Sequence, residues 1–595
     1  MLILLAAINA KYIHSCLALH CLAAFRPDLK ESVKIREFTI NQEKEYLLRE
    51  IYALHPDIAC FSCYIWNIEK TISLVRTLKQ VMPDIKIILG GPEVSFESQS
   101  LFEYPVDVVV RGEGEKPFSE LMDFYLAGVG SLSAINGITY RKGGAVFENP
   151  DSQSLDLTYS KFAYHYSQLS EFTNRIVYYE SSRGCPFRCS YCLSGYGGDL
   201  RSIPLERVER ELAFFLKSNV PQVKFVDRTF NAVKRRSQAI WKLLIDNDNG
   251  FSNFHFEIAG DLLDEQDFHI LERARPGLFQ FEIGVQTSNE KTLASLQRKT
   301  DLESLSRNAL KLRSMGNIHI HLDLIAGLPG ETLSDVKNSI NFVHELSPEQ
   351  FQLGFLKLLK GTSLRMHALV EGLHYDESPP YEILRTKDMP FSEMLKLKGI
   401  ESALSMLLNS GMFVQTLKYS IPLFPSAFDF YESFSSYWIE RNLHASSHTK
   451  MKIYEILFEF LSGPAAIEEL KDVMKFDLLA NDLSCTPPAW LTPPKTSREK
   501  KLCSSFLDNY CQELCNRQLE PLSSIERSKA YAKLRRKLAI SSAIESFSID
   551  MPLFLSCGRL KRRSCELLIL RFNRLLPAAW EEVKCLKADD GAAKG

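Results

Sequence analysis

Three cysteines within eight residues constrain this chain more than any other feature. Cys185, Cys189 and Cys192 lie in Arg-Gly-Cys-Pro-Phe-Arg-Cys-Ser-Tyr-Cys, a Cys-x3-Cys-x2-Cys spacing. A short apolar run over residues 176–179 precedes them and reads as a strand; a glycine-rich turn and an amphipathic helix follow. The thiols therefore sit on a loop at the carboxyl end of a strand, where α/β proteins place their chemistry. A structural zinc site wants four protein ligands, and no fourth Cys or His lies nearby in the sequence. A four-iron cluster is normally held by four cysteines, so three would leave one iron open to another ligand. Three buried cysteines meeting by chance, or an incomplete zinc site, are the competing readings. Gly184 and Pro186 break the loop, and Arg183 and Arg188 can offset the negative charge of a cluster.

With the aromatic Tyr191 just before the last Cys, this stretch resembles the signature of the radical S-adenosylmethionine (SAM) enzymes. In that superfamily the open iron is chelated by the amino and carboxylate groups of SAM, and reductive cleavage yields a 5′-deoxyadenosyl radical. The downstream pattern agrees. Strands expected over residues 176–180, 222–227, 255–259, 279–285, 318–324 and 352–358 alternate with amphipathic helices over 205–218, 232–246, 265–273, 302–315 and 333–346. Six such units suggest a partial (β/α)6 barrel, the usual radical SAM core. The later strand ends carry polar groups that an apolar barrel interior would not otherwise want. They are Asp227-Arg228-Thr229-Phe230-Asn231, Glu257, Glu282-Ile283-Gly284-Val285-Gln286-Thr287, Arg298, and the run from Asp323 through Gly327-Leu328-Pro329-Gly330 to Thr332.

These segments resemble the branch that includes the oxygen-independent coproporphyrinogen dehydrogenase and the methylthiotransferases. That resemblance implies that Glu257 accepts from the SAM amino group and Arg298 pairs its carboxylate, a contact that suits the guanidinium fork. It implies that Gln286 and Asp323 bond the ribose hydroxyls. Gly327 and Pro329 would shape the turn near adenine, with Tyr191 packed on or near that ring. Each residue alone also reads as an N-cap, a turn glycine or a surface ion pair; it is their joint occurrence in order that argues for a site.

Residues 1–130 alternate strands (2–8, 32–40, 58–64, 85–89, 106–111) with helices (13–25, 42–54, 67–82, 116–126), the rhythm of a parallel, doubly wound sheet. Its turns hold Ser62-x4-Asn67, Gly90-Gly91-Pro92-Glu93-Val94-Ser95 and Arg111-Gly112-Glu113-Gly114-Glu115. The double glycine allows a backbone to approach a bulky ligand. These turns resemble the cobalamin-binding domain found in front of many radical SAM enzymes. The resemblance implies cobalamin at Ser62, Asn67, Gly90, Gly91, Pro92, Glu93, Gly112, Glu113, Gly114 and Glu115. The Asp-x-His-x-x-Gly motif of methionine-synthase-type domains is absent, as is common in the radical SAM type, so the lower axial position of cobalt has no assigned ligand. His14 reads better as a polar residue at a helix start. Cys60 and Cys63 lie three apart in a strand, so they point to opposite faces and read as core residues, not as a second cluster site.

Residues 131–172 form a linker with a hairpin and a loop. From 376 to 595 the chain reads as mainly helical, with breaks at Thr486-Pro487-Pro488 and Thr492-Pro493-Pro494. It resembles a C-terminal domain of unknown function in a cobalamin-type radical SAM subgroup, through segments such as Phe428-Asp429-Phe430-Tyr431 and Phe476-Asp477-Leu478-Leu479. Cys503, Cys511 and Cys515 fall on one helix face and suit burial better than an accessory cluster. From residue 495 onward, 20 Lys and Arg face 12 Asp and Glu. This basic tail permits a nucleic-acid partner, with residues 527–537 the best candidate, but solvated helix faces explain it as well. Of the fourteen cysteines, seven precede residue 193 and seven follow residue 484. That usage suggests a reducing cytoplasm and not a disulfide framework. No apolar run reaches the ~18 residues of a membrane span.

The expected architecture is α/β: a Rossmann-like cobalamin-binding domain (1–130), a linker (131–172), a radical SAM barrel (173–375) and a mainly helical C-terminal domain (376–595). The resemblances imply a cobalamin-dependent radical SAM enzyme with a [4Fe–4S] cluster, SAM and cobalamin as cofactors and methylation of an unactivated carbon as the main reaction. A radical cyclase or oxidoreductase that uses cobalamin for electron transfer is the alternative enzyme. A non-catalytic cobalamin- or redox-responsive binding protein would not need Glu257, Gln286 and Arg298. The expected partners are a flavodoxin- or ferredoxin-type reductant and a substrate, small molecule or RNA; no catalytic residue is assigned.

Overall fold

The structure, a computed structural model, describes residues 1–164, 172–195, 199–482, 487–518, 524–570 and 579–583. Gly197, Gly198, Cys485, Thr486 and Cys585 lie outside the described residues. The chain forms two compact units, Met1–Pro348 with Leu353–Met394, and Glu349–Gln352 with Leu395–Gly595.

The first sheet contains β1 (Ile3–Asn9), β2 (Val33–Thr39), β3 (Ile58–Ser62), β4 (Lys86–Gly90), β5 (Val108–Val110), β6 (Ile138–Lys142) and β7 (Ala145–Glu148). Its order is β2-β1-β3-β4-β5-β6-β7. The first five strands pair in parallel, and the hairpin β6–β7 adds antiparallel pairs beyond β5. Strand alternation sends Leu4, Ala6 and Ile8 into a core with Leu74, Val75 and Leu78, and sends Ile3, Leu5 and Ala7 into another with Leu19, Phe118 and Leu121. With both faces covered, the strand needs an uninterrupted apolar run, which is what residues 2–8 supply. Cys60 and Cys63 are buried in the two opposite cores.

The first helix is Leu17–Phe25 and so begins four residues later than its spacing suggests. The preceding residues are pinned to the next domain. Ile176 N donates to Ile13 O at 2.7 Å, Ser15 Oγ donates to Ile176 O at 2.9 Å, and His14 Nδ1 lies 2.7 Å from Tyr178 Oη. Among the five expected strands of this domain the differences are a residue or two at the ends.

The second sheet contains β8 (Val177–Tyr179), β11 (Gln222–Phe225), β12 (Asn253–Ile258), β13 (Phe279–Gln286), β14 (His319–Ala326) and β15 (Gln350–Phe355). Two-residue strands β9 (Ser182–Arg183) and β10 (Arg201–Ser202) pair beside it. The order is β15-β14-β13-β12-β11-β8, a six-stranded sheet whose two end strands do not pair with each other. Its outward residues are aromatic: Phe225, Phe254, Phe256, Phe279 and Phe281 are fully buried, with Trp241 packed among them. The alternate positions carry Lys224, His255, Glu257, Glu282, His321 and Asp323. The helices fall where the sequence places them, between successive strands. A short antiparallel pair, β16 (His374–Tyr375) with β17 (Ile383–Arg385), follows.

The second unit is mainly helical, with a three-stranded antiparallel sheet that the sequence reading did not anticipate: β18 (Ser542–Ile549), β19 (Arg562–Leu570) and β20 (Ala579–Val583). The run over 565–570 is buried at every position, and a continuous apolar run has no period that separates helix from strand. Helix Ser497–Gln518 carries Cys503, Cys511 and Cys515; Cys511 is fully buried against Leu538, Ile544 and Leu568, with Cys503 packed at the edge. Among the described residues no helix is long and apolar enough to cross a membrane.

Asp477 is a fold-specific anchor in this unit. Its carboxylate accepts from Gln415 N at 3.0 Å and from Thr416 N and Thr416 Oγ1 at 2.7 Å, capping helix Val414–Ser420 from another helix. Burial pushes its pKa up from 3.8 to about 7, against the pull of those donors. The folded state thus holds the proton more tightly than the unfolded chain, so this contribution to stability is present at low pH and is lost as pH rises through about 7. Between pH 6 and 8.5, urea unfolding should show wild type losing about 1.4 kcal/mol relative to Asp477→Asn.

Candidate active site

The cysteine loop is anchored at its root. Asp227, just beyond β11, turns back under the end of β8. It accepts from Ser181 N at 2.9 Å and from Ser181 Oγ and Ser182 Oγ at 2.6 Å. It is 1% exposed, and burial pushes its pKa up to about 6 while the serines pull the other way. Farther along, Ser190 N donates to Leu296 O at 3.0 Å and Cys192 N to Cys189 O at 3.0 Å. Cys185 Sγ lies 3.4 Å from Thr229 Oγ1, and Ser194 N donates to Cys192 Sγ at 3.4 Å. Cys189 is the buried member of the three. Burial raises its pKa, and Arg298, with Nη1 4.0 Å from the sulfur, opposes that. A metal bound there would hold it as a thiolate.

Glu257, Gln286, Arg298 and Asp323 line one cavity, together with Phe187 of the cysteine loop, Arg228, Glu282 and Gly284. Glu257 Oε2 lies 3.6 Å from Arg228 Nη1; burial raises its pKa and Arg228 opposes this. Arg298 donates to Gly284 O and lies 3.4 Å from Tyr191 Oη, which brings Tyr191 to the same group. Gln286 has a φ of +70°, a costly conformation for an L-residue that marks a constrained site. Gly327 is not among the lining residues. It packs against Ile383 and Met394, where a Cβ would meet side-chain carbons at 2.6 and 2.7 Å.

Lys224 and His255, which the sequence reading did not assign to the site, extend the polar face inside the barrel. Lys224 Nζ and His255 Nε2 each lie 2.9 Å from Glu282 Oε2. Burial works to raise the pKa of Glu282, but His255 and Lys224 hold it well below the usual carboxylate range. The signal was available: Val223-Lys224-Phe225 and Phe254-His255-Phe256-Glu257 alternate aromatic or apolar with ionisable residues in strands covered on one side. His321 Nε2 and Asp323 Oδ1 lie 3.0 Å apart without hydrogen-bond geometry, and among the described residues neither atom, nor Arg298 Nε, has a hydrogen-bond partner. Buried polar atoms are seldom left unpaired. A hydroxyl-, amino- and carboxylate-bearing ligand such as SAM fits this set.

The turns of the first sheet share one edge, but their side chains have mixed duties. Asn67 Nδ2 donates to Ile8 O and Ser62 O at 3.0 Å, and Asn67 Oδ1 accepts from Tyr64 N at 2.8 Å, bracing the turn after Ser62. Gly91 has a φ of +112°, and a Cβ there would stand 2.6 Å from Cys63 O, so the protein's own backbone demands this glycine. Gly90 ends β4 and Pro92 is exposed. Gly112 N donates to Ser95 Oγ at 3.0 Å, and Gly114 lies beside Leu22. Glu93, Glu113 and Glu115 all face the second domain: Glu93 meets Lys360 and Tyr381, Glu113 meets Arg183 and Arg201, and Glu115 meets Arg183. At the same edge Trp66, 44% exposed, stacks on Tyr64 at 4.3 Å, a flat aromatic surface that suits a flat macrocycle. His14 is engaged by Tyr178.

Asp227→Ala removes all three anchors of the loop root. It should lower the iron retained per chain after anaerobic reconstitution by at least half, read by colorimetric iron assay, whereas Asp227→Asn keeps an acceptor oxygen and retains most of it.

Comparison with known proteins places families on this architecture. The model of the B12 binding domain matches residues 3–122, that of the radical SAM superfamily matches 179–343, and that of DUF4080, a protein of unknown function, matches 372–567. The cobalamin-dependent radical SAM methyltransferase TokK of Streptomyces tokunonensis is 24% identical over 373 residues, 57% of this chain and 54% of that protein. The anaerobic magnesium-protoporphyrin IX monomethyl ester cyclase of Rubrivivax gelatinosus is 24% identical, over 52% of this chain and 58% of that protein. The chain thus spans about half the length of these relatives. Among solved structures, the cobalamin-dependent SAM radical enzyme OxsB with aqua-cobalamin and SAM bound aligns at a TM-score of 0.50 and 15% identity, covering 94% of this chain and 82% of that one, a likeness of fold. The chain thus carries a B12 binding domain, a radical SAM domain and a DUF4080 region, in that order.

Proposed function

We propose that the chain is a cobalamin-dependent radical SAM methyltransferase acting on an unactivated carbon. The observation that carries this reading is the gathering of Glu257, Gln286, Arg298 and Asp323 around one cavity with the cysteine loop, in a chain that opens with a B12 binding domain. Loaded with a [4Fe–4S] cluster on Cys185, Cys189 and Cys192, SAM and cobalamin, such a site supplies reductive cleavage of SAM to a 5′-deoxyadenosyl radical and a methyl group from cobalamin. The chain's own residues bind and orient. Glu257 accepts from the SAM amino group, Arg298 pairs the carboxylate, and Gln286 and Asp323 hold the ribose. Tyr191 packs near adenine and Gly327 shapes the turn behind it. Ser62, Gly90, Gly91, Pro92, Gly112 and Gly114 form the rim for cobalamin, with Asn67 bracing it.

The electron comes from a flavodoxin- or ferredoxin-type partner in a reducing cytosol, and the substrate is a small molecule or an RNA. Domain bounds at 1–130, 131–172, 173–375 and 376–595 separate the cobalamin module, linker, barrel and C-terminal region. Radical ring closure is the second reading, favoured by the cyclase relative that matches this chain at the same identity as the methyltransferase.

Anaerobically reconstituted protein with reductant should form 5′-deoxyadenosine, followed by liquid chromatography and mass spectrometry, and Cys189→Ala should form none. Arg298→Ala should weaken SAM binding roughly 10- to 100-fold, as expected for loss of a hydrogen bond to a charged group. A wild-type protein that holds cluster and cobalamin yet never cleaves SAM, even with cell extract as a source of substrate, contradicts the reading.

A further inference from the structure

The six-stranded sheet is open, with β8 and β15 as its ends. The cysteine loop emerges from the β8 end and needs support on both flanks. One flank is Arg183, two residues before Cys185. Its guanidinium lies 2.8 Å from Glu180 Oε2, 2.7 Å from Glu115 Oε1 and 3.1 Å from Glu113 Oε2. Glu113 also pairs with Arg201, on the strand beside Arg183, and accepts from Leu155 N at 2.8 Å. The other flank is the peptide between Cys189 and Cys192: Ser190 O accepts from Leu364 N at 3.0 Å and from Ser363 Oγ at 3.3 Å. Those two residues belong to the segment after β15, and that segment is itself held by the first sheet. Glu93, 3% exposed, lies 3.0 Å from Lys360 Nζ and accepts from Tyr381 Oη. Phe96 lies so close over Gly361 that a Cβ there would meet its ring at 2.5 Å.

We propose that Glu93, Glu113 and Glu115 are positioning residues: the turns after β4 and β5 grip the cysteine loop from its two flanks and so set the cluster-bearing loop relative to the cobalamin-bearing edge. Two features separate this from a ligand-binding role. Each carboxylate is already committed to a basic side chain of the second domain, and the two turns follow neighbouring strands of the first sheet while their partners Arg183 and Lys360 follow β8 and β15, the opposite end strands of the second. A buried carboxylate in an ion pair is costly to leave unpaired, so these contacts hold the domains in one register. The inference rests on the cluster and cobalamin assignment above.

The test uses the full chain reconstituted with cluster and cobalamin. Glu113→Gln/Glu115→Gln and Glu93→Gln are compared with wild type in three readouts: cobalamin affinity by absorbance titration, hydrogen exchange of residues 184–192, and the EPR spectrum of the reduced cluster with and without SAM. The expected result is cobalamin affinity within about threefold of wild type, loop exchange faster by tenfold or more, and an altered SAM-induced EPR change. A drop in cobalamin affinity of tenfold or more with unchanged loop exchange and EPR overturns the proposal, because the glutamates would then be ligand contacts. A double-variant cycle covers the case of poor folding. Because Arg183 also meets Glu113 and Glu180, Glu115→Gln combined with Arg183→Gln should exchange no faster than Arg183→Gln alone if the two residues share a contact; multiplying effects overturn it. Wild-type protein that takes up no cluster fails the parent reading instead, since hydrogen exchange and the cycle still report on the grip.

Discussion

One guanidinium, that of Arg183, joins the two halves of the first unit at the point where the chemistry begins. Three carboxylates surround it, Glu113 and Glu115 from the turn after β5 and the helix start that follows, and Glu180 from just beyond β8, all with side chains between 8% and 22% exposed. Breaking a buried ion pair by removing one partner costs roughly 3–5 kcal/mol, because the remaining charge is stranded. Arg183 is therefore hard to move, and Cys185 follows two residues later. Asp227 fixes the same root from below through three hydrogen bonds from Ser181 and Ser182. Position, not flexibility, is what a radical site demands, since a reactive intermediate punishes small misplacements.

The barrel divides labour between its two faces. Outward-facing phenylalanines and Trp241 supply an aromatic mantle whose ring centroids lie 4.5–6.5 Å apart. This packing allows the inner face to carry ionisable groups that would otherwise destabilise a core. Lys224 and His255 hold Glu282 charged, while Glu257 faces Arg228. What is left over is informative: among the described residues Asp323 Oδ1, His321 Nε2 and Arg298 Nε accept or donate no hydrogen bond. They are the groups from which a polar ligand would gain most on binding.

The sequence made the local features legible. The cysteine spacing, the strand–helix rhythm and the ionisable residues at strand ends are encoded within a few neighbouring residues, and the cavity gathers four of the implied SAM residues. Long-range partners were not legible. Glu93 finds Tyr381 and Glu115 finds Arg183 across 288 and 68 residues, so glutamates in glycine turns looked like ligand contacts. The late start of the first helix has the same cause, since His14 and Ser15 are claimed by Tyr178 and Ile176. Nor was the second demand on Gly91 legible: a Cβ there would meet the backbone of Cys63. In the sheet β18–β20, the central strand β19 escaped because its buried stretch, residues 565–570, is a continuous run with no alternation to read.

The central claim is that the three cysteines hold a cluster with one iron open to SAM. Mössbauer spectroscopy of 57Fe-reconstituted protein, recorded with and without SAM, tests it directly. The account predicts four irons per cluster, of which one changes its isomer shift when SAM is added while three do not. Spectra that are unchanged by SAM, or iron that never assembles as a four-iron cluster on Cys185, Cys189 and Cys192, would contradict it.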